Sequence, residues 1–366
     1  MGGEFRRIRD RRLVGAVVLG LAVLLGTVGT ARAHEEYVVD EERDVAVGEF
    51  LAESLTDPLV VGPLLAGGIA VVAAIAIYLV VRPLQRDIAS FRAAMREYTE
   101  YVPWLLRISF GIPLIGAGFS GYFISPALHV ELRLLQVALG FFLLFGLATR
   151  VVALLTLAAY LVGLAFRPVL VLQLEFVGGM LALALIGSGR PSADHVLQRV
   201  AGAPGTVYGR FDPVYDRSQA LQARIRRYRS LMPTIVRIGL GCTFVSLGLG
   251  QKLLRPGIAL AVVDRYDLTA VVPASPELWA LGAGLAEVGL GLALVVGVFT
   301  RASAATAIGV FTLTLFALPD DPVLAHVGLF GLASVLLITG SGPYALDRRL
   351  ETVEADERAD AVPGPA

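Results

Sequence analysis

The feature that most limits the fold is a succession of apolar stretches, each close to the length a helix needs to cross a bilayer. A helix rises about 1.5 Å per residue, so roughly 20 apolar residues span the hydrocarbon layer. Nine such stretches follow residue 57: 58–81, 104–124, 128–147, 151–166, 169–187, 233–252, 277–297, 302–318 and 322–340. Only 17% of the 366 residues are charged, and the mean hydropathy is +0.71. That is too little polar surface to cover a water-soluble body of this length, which excludes a soluble enzyme. The apolar excess is aliphatic and accompanied by 40 glycines, as expected of helices packed closely in lipid. The expected fold is an all-α polytopic membrane helix bundle.

Charge and cysteine usage exclude further classes. Lys+Arg and Asp+Glu are both 31, so no net field attracts nucleic acid. Lys252 is the only lysine among the basic residues, which singles it out. One cysteine, Cys242, leaves no internal disulfide, four-cysteine zinc site or iron–sulfur cluster. The four histidines (His34, His129, His195 and His326) lack the paired mid-helix placement of haem ligands. The residues suggest no metal site beyond a minor copper reading at His34.

The N-terminus carries Arg6, Arg7, Arg9, Arg11 and Arg12, then an apolar run and Ala-Arg-Ala before His34. This pattern reads as a signal peptide, or an uncleaved signal anchor, at 1–33. An acidic segment, 34–57, then lies outside the cytoplasm. The span at 58–82 carries the chain inward to an amphipathic linker at 83–101. Alternation places Arg150, the eight arginines of 190–229, Arg301, Arg348 and Arg349 on the cytoplasmic side, in keeping with the positive-inside rule. The C-terminal tail, 349–366, is then cytoplasmic and the protein a multi-pass component of the cell membrane.

The sequence also repeats. Tyr101–Gly111 aligns with Leu231–Gly241, so that Pro103, Arg107 and Gly111 match Pro233, Arg237 and Gly241. Gly146–Arg150 aligns with Gly297–Arg301, and Gly187–Asp194 with Gly340–Asp347. Two four-helix repeats are expected, at 102–195 and 232–348, joined by an Arg-rich cytoplasmic linker at 196–231. Four helices is an even number, so the repeats are parallel in orientation. The offset grows by about 20 residues between the first and second helices, which places an insertion at 253–276 in the second repeat.

The second repeat has an Arg at the start of its first helix and a Gly-rich stretch ending in Lys. The run LAEVGLGLALVVGVFTR and a terminal Gly-x-Gly…Asp follow. Arg237, Lys252, Glu287, Gly291, Gly297, Thr300, Arg301, His326, Gly340, Gly342 and Asp347 carry this pattern, which resembles the DoxX/DoxD-like membrane proteins. The first repeat matches less well. The resemblance implies a membrane subunit of an oxidoreductase, as in thiosulfate:quinone oxidoreductase, with quinone as its small-molecule partner. Such proteins are usually one four-helix unit, whereas two units and an extra span are expected here.

Comparing the repeats locates the candidate site. Glu287 corresponds to Gln136, His326 to Gln173, and Lys252 falls near Tyr122. The second repeat thus holds three ionisable groups where the first holds neutral ones, and intramembrane charge points to function. Glu287, His326 and Lys252 are the expected site, within the second repeat. A carboxyl and an imidazole in a lipid-accessible pocket suit a quinone head group, and any electron donor then comes from a partner subunit. The competing functions are a small-solute or proton transporter and a non-catalytic membrane scaffold. Glu175 is a second buried acid, found only in the first repeat. The apolar insertion either lids an outward-facing cavity or lies at the interface. With Cys242 replaced by Ser, a cysteine introduced between residues 200 and 225 should react with a membrane-impermeant thiol reagent only after the membrane is opened. Labelling in intact cells would reverse the topology.

Overall fold

The computed structural model describes residues 43–129, 133–207 and 215–348. The expected signal peptide at 1–33, the start of the acidic segment and the tail at 349–366 lie outside the described residues.

Helix α1 (Val47–Ser54) leads into α2 (Pro58–Val81). Asp57 caps α2 by accepting from the Leu59 N–H at 2.8 Å, and Pro58 supplies a helix-ready φ in the first turn. Only Val60 of α2 is buried, and Leu65, Ile69, Val72 and Ile77 point outward on all sides. A helix apolar all round and unburied is stable only in lipid.

The amphipathic α3 (Gln85–Glu97) and a 3-10 turn lead to α4 (Val102–Ser120). A short antiparallel hairpin follows, β1 (Tyr122–Phe123) with β2 (Ser125–His129), then α5 (Arg133–Phe145) and α6 (Thr149–Phe166). A 3-10 segment, Pro168–Gln173, precedes α7 (Glu175–Ile186). After it come α8 (Ala193–Ala201) and α9 (Tyr215–Arg226). The rest of the described chain is α10 (Met232–Leu247), α11 (Pro256–Arg265), α12 (Leu268–Val271), α13 (Pro276–Val296), α14 (Thr300–Ala317) and α15 (Val323–Thr339).

Among the described residues, six helical stretches are long and apolar enough to cross a membrane: Pro58–Val81, Gln85–Ser120, Thr149–Phe166, Arg229–Leu253, Pro276–Val296 and Thr300–Ala317. Three shorter apolar helices, α5, α7 and α15, occupy the other stretches identified in the sequence. Two of those stretches need correction. The one expected at 128–147 opens on residues that pair as the end of β2, and its described helix is Arg133–Phe145. The one expected at 169–187 begins with a 3-10 turn started by Pro168, and its α-helix starts at Glu175.

Residues aligned in the sequence make comparable hydrogen bonds to helix ends, though not every partner corresponds. Arg237, 1% exposed, donates to the Leu294 and Val295 carbonyls at the end of α13, at 2.9 and 2.7 Å, and to Tyr344 O at 3.2 Å. Arg107 donates to Leu144 O at the end of α5, and to Ser188 O and Pro191 O, at 3.0, 2.7 and 2.7 Å. Asp347 accepts from the Phe299 and Thr300 N–H groups that open α14, at 2.6 and 2.9 Å. Asp194 does the same for Ala148 and Thr149 before α6, at 2.6 and 3.1 Å. Helix ends leave backbone groups without intrahelical partners, and these side chains supply them.

Glycines set the closest helix crossings. A Cβ at Gly241 would lie 2.7 Å from Gly291 O where α10 crosses α13, and one at Gly111 would lie 3.0 Å from Gly140 O where α4 crosses α5. The halves pack reciprocally, α10 on α7 and α15 on α4. A Cβ at Gly239 would sit 2.7 Å from Gly178 Cα between the halves. Gly116 faces Leu324 and Gly328 faces Phe110, so α4 and α15 are antiparallel. Thr243 meets Glu175 while Gly239 meets Gly178, so α10 and α7 are antiparallel too. Arg107 and Arg237 therefore share one end of the bundle, and the insertion lies at the other.

Gly239→Leu should lower stability by about 2–3 kcal/mol, the usual cost of overpacking a tight contact. Gly289→Leu should change it little, because nothing lies within 4 Å of a Cβ there. Thermal unfolding in detergent checks the pair.

Candidate functional site

After Leu247 the last turns of α10 widen into a π-helix, Gly248–Leu253. Such turns are uncommon and concentrate at functional positions. Gly248 lets α13 come close, since a Cβ there would sit 3.0 Å from Glu287 Cβ. Lys252 Nζ donates to Glu287 Oε2 at 2.8 Å, with 25% and 16% of the two side chains exposed. Glu287 lies eleven residues beyond Pro276, about 16 Å along α13. A carboxylate at that depth is costly without a partner, and the only lysine of the chain provides it. Lys252 thus turns inward, whereas a lysine at a helix end ordinarily snorkels to the interface.

The third expected residue, His326, lies on the first turn of α15. Its Nε2 is 3.5 Å from Asp321 Oδ2 and its Nδ1 is 3.3 Å from Pro322 O. The Pro322 carbonyl can only accept, so this contact suits the tautomer with the hydrogen on Nδ1 and leaves Nε2 facing the Asp321 carboxyl. Burial holds the Asp321 carboxyl above the ordinary carboxylate range, against the opposing pull of the His326 and Lys252 charges. The Phe311 ring and the imidazole pack in a T-shaped arrangement with 6.0 Å between centroids.

Lys252, Glu287, Asp321 and His326 all line one cavity of about 770 Å³, within the usual range for small-molecule sites. Its other walls are mainly apolar and include Phe176, Phe244, Phe311 and Leu290. Asp321 was visible in the sequence only as a loop acid beside Asp320. Its approach to His326 depends on the turn between α14 and α15.

The sequence comparison places the pocket within residues 232–348, but the cavity also draws walls from earlier in the chain. Gln173, Glu175, Pro113 and Tyr122 of the first half also line it, because α7 and α4 pack against α10 and α15. Glu175 is 3% exposed, and its Oε2 accepts from Thr243 Oγ1 at 3.0 Å. Gln136, which aligns with Glu287, is equally enclosed but needs no ion: its Nε2 donates to Leu114 O and Tyr122 O at 3.2 and 3.1 Å.

The insertion forms a wall of the cavity through α11 and α12, with Ile258, Val262, Leu268 and Val271 among the lining residues. Arg265 Nη2 and Tyr266 Oη each lie 3.1 Å from Asp320 Oδ2, which ties this wall to the turn that carries Asp321. On its other side Asp264 pairs with Arg43, and Phe50 of α1 joins Leu260, Ala280 and Leu281 in a small apolar cluster. Among the described residues, no group of three or more His, Cys, Asp or Glu side chains is arranged to hold a metal.

A family model described as DoxX matches residues 232–320. This stretch is DoxX-like. It runs from α10 to the turn after α14 and includes Arg237, Lys252, Glu287 and Arg301; Asp321 and His326 lie just past its end, and the first half lies before it. No curated protein and no solved structure matches the chain. The long apolar helices make this an integral membrane protein, of which residues 232–320 are similar to DoxX.

Glu287→Leu alone should destabilise the protein by about 2 kcal/mol, because it leaves a partly buried ammonium unpaired. Lys252→Met combined with Glu287→Leu should recover most of that loss. A double-mutant cycle of thermal stability in detergent would read the coupling.

Proposed function

We propose that this chain is a quinone-interacting membrane subunit of an oxidoreductase complex, with the cavity as its head-group site. One observation carries the reading. Two pairs of ionisable groups, Lys252–Glu287 at 2.8 Å and Asp321–His326 at 3.5 Å, face one apolar, aromatic-walled cavity within a membrane helix bundle. A bound quinone supplies an acceptor for two electrons and two protons. The Lys252 ammonium donates a hydrogen bond to a head-group oxygen, and Glu287 orients that ammonium and balances its charge. His326 takes up and releases a proton at Nε2, which faces the Asp321 carboxyl. The apolar walls, including α11 and α12, exclude bulk water, which strengthens each of these interactions. No electron-carrying group is recognisable in the sequence, so electrons come from a partner subunit.

The remaining expectations belong to the same proposal. The chain duplicates a four-helix unit; the matched hydrogen bonds of Arg107 with Arg237 and of Asp194 with Asp347 support this. Its arginine-lined end faces the cytoplasm of a cell membrane, and the cavity opens toward the outer leaflet after removal of the signal peptide.

Purification of the native complex in mild detergent, followed by solvent extraction, should recover quinone. Glu287→Gln should preserve folding and reduce quinone-linked turnover by about 100-fold, in the range for a positioned acid–base group. Gln136→Ala should lower the melting temperature and leave turnover near that of the parent. Solute flux in reconstituted vesicles, without retained quinone, would overturn the reading in favour of a transporter.

A further inference from the structure

Helices α13 and α14 leave one shared turn, yet each packs mainly elsewhere, α13 on α10 and α14 on α15. Both are long and apolar enough to span the membrane. Ala283, Ala286 and Leu290 of α13 line the cavity, as do Thr306, Val310 and Leu313 of α14. Spacings of three and four keep each set on one side of its helix. Leu290 lies six residues before Val296, and Thr306 lies six residues after Thr300. Each is therefore about 9 Å of helix rise from the shared turn, and the two sets border one seam at membrane depth.

Several lining residues along this seam are exposed. Ala286 and Thr306 are exposed, Leu313 is 71% exposed and Phe316 is 84% exposed. Side chains this exposed mark the mouth of a cavity rather than its floor. The medium at that depth is hydrocarbon, so the mouth opens to lipid. The end of the seam away from the arginines is bridged instead. Trp279 Nε1 on α13 donates to Val272 O at 3.2 Å, while Arg265 and Tyr266 reach Asp320 just beyond α14. The insertion thus straddles the ends of both helices. Ala286 at the mouth precedes Glu287, whose carboxylate meets Lys252, so the lipid opening and the charged pair occupy neighbouring positions of α13.

Building on the quinone reading above, we propose that the cavity fills from the bilayer through this seam and that its ligand is a long-tailed quinone. The head group reaches Lys252 and Glu287, and the tail remains between α13 and α14, over Ala286, Thr306 and Leu313. A long apolar tail concentrates such a molecule in the bilayer, because every methylene drawn into water is unfavourable. A lateral mouth admits the head while the tail stays in hydrocarbon.

Trp279 lines the cavity and is one of two tryptophans in the chain. In a full-length Trp104→Phe parent, its fluorescence reports binding through quenching. Two quinones with one head group are titrated into the detergent-purified protein: decylubiquinone, and dimethoxy-methyl-benzoquinone, which lacks the tail. Comparing each variant with the parent for the same quinone cancels partition into detergent. Thr306→Phe narrows the seam and should weaken decylubiquinone about tenfold, within the range for overfilling a fitted space. Affinity for the tailless quinone should stay that of the parent. Gly309→Leu is the control on α14, since a Cβ there meets nothing within 4 Å and the residue does not line the cavity. It should change neither affinity. If Thr306→Phe does not fold, Ala286→Leu narrows the seam from α13 with the same expectation. Unchanged decylubiquinone affinity, or equal losses for the two quinones, would overturn the lateral mouth and leave the quinone reading intact. A loss with Gly309→Leu as large as with Thr306→Phe would overturn it too. Absence of quenching of the parent by both quinones would overturn the quinone reading, and the lateral mouth with it.

Discussion

Inside a bilayer there is no water to complete a hydrogen bond, so every polar group at depth needs a partner from the protein itself. The arrangement of this bundle follows from that constraint. Arg107 and Arg237 run along the bundle interior and end on carbonyls that close α5 and α13. Asp194 and Asp347 complete the N–H groups that open α6 and α14. Each contact joins segments far apart in sequence, so satisfying helix ends also fixes how the helices associate. The glycine crossings act with them by letting backbones approach within van der Waals distance, the main source of attraction between helices in lipid.

The same constraint explains how two aligned positions satisfy their polar groups differently. At the position of Gln136 a neutral amide bonds two carbonyls and stays inert. At the aligned position in the other half, Glu287 needs a cation, and Lys252 meets it across a π-helical turn. A charged pair next to a cavity has capacity to exchange protons that a capped amide lacks. The insertion then closes this half from one side, tied to the Asp320–Asp321 turn by Arg265 and Tyr266. The ionisable groups and the wall that shields them are therefore mechanically linked.

Most of the architecture was legible in the sequence because a bilayer imposes long, uniform apolar runs. Breaks in those runs were less legible. Residues 125–129 are apolar enough for a helix yet pair as a strand, and Pro168 converts the start of another span into a 3-10 turn. Among site residues, Lys252, Glu287 and His326 stood out as charges among apolar neighbours. Asp321 did not, because a loop acid beside another is ordinary until the turn brings it to His326.

The sequence by itself determined the membrane setting, the helical class, the internal correspondence of Arg107 with Arg237, and which half holds the charges. Those properties reside in composition and spacing, which the bilayer reads locally. Only the tertiary structure decided that Lys252 pairs with Glu287 while His326 pairs with Asp321, and that the cavity borrows walls from both halves. Partner choice depends on distances between helices, and these are set by glycine contacts and side-chain packing far apart in the chain. No periodicity along the chain encodes them.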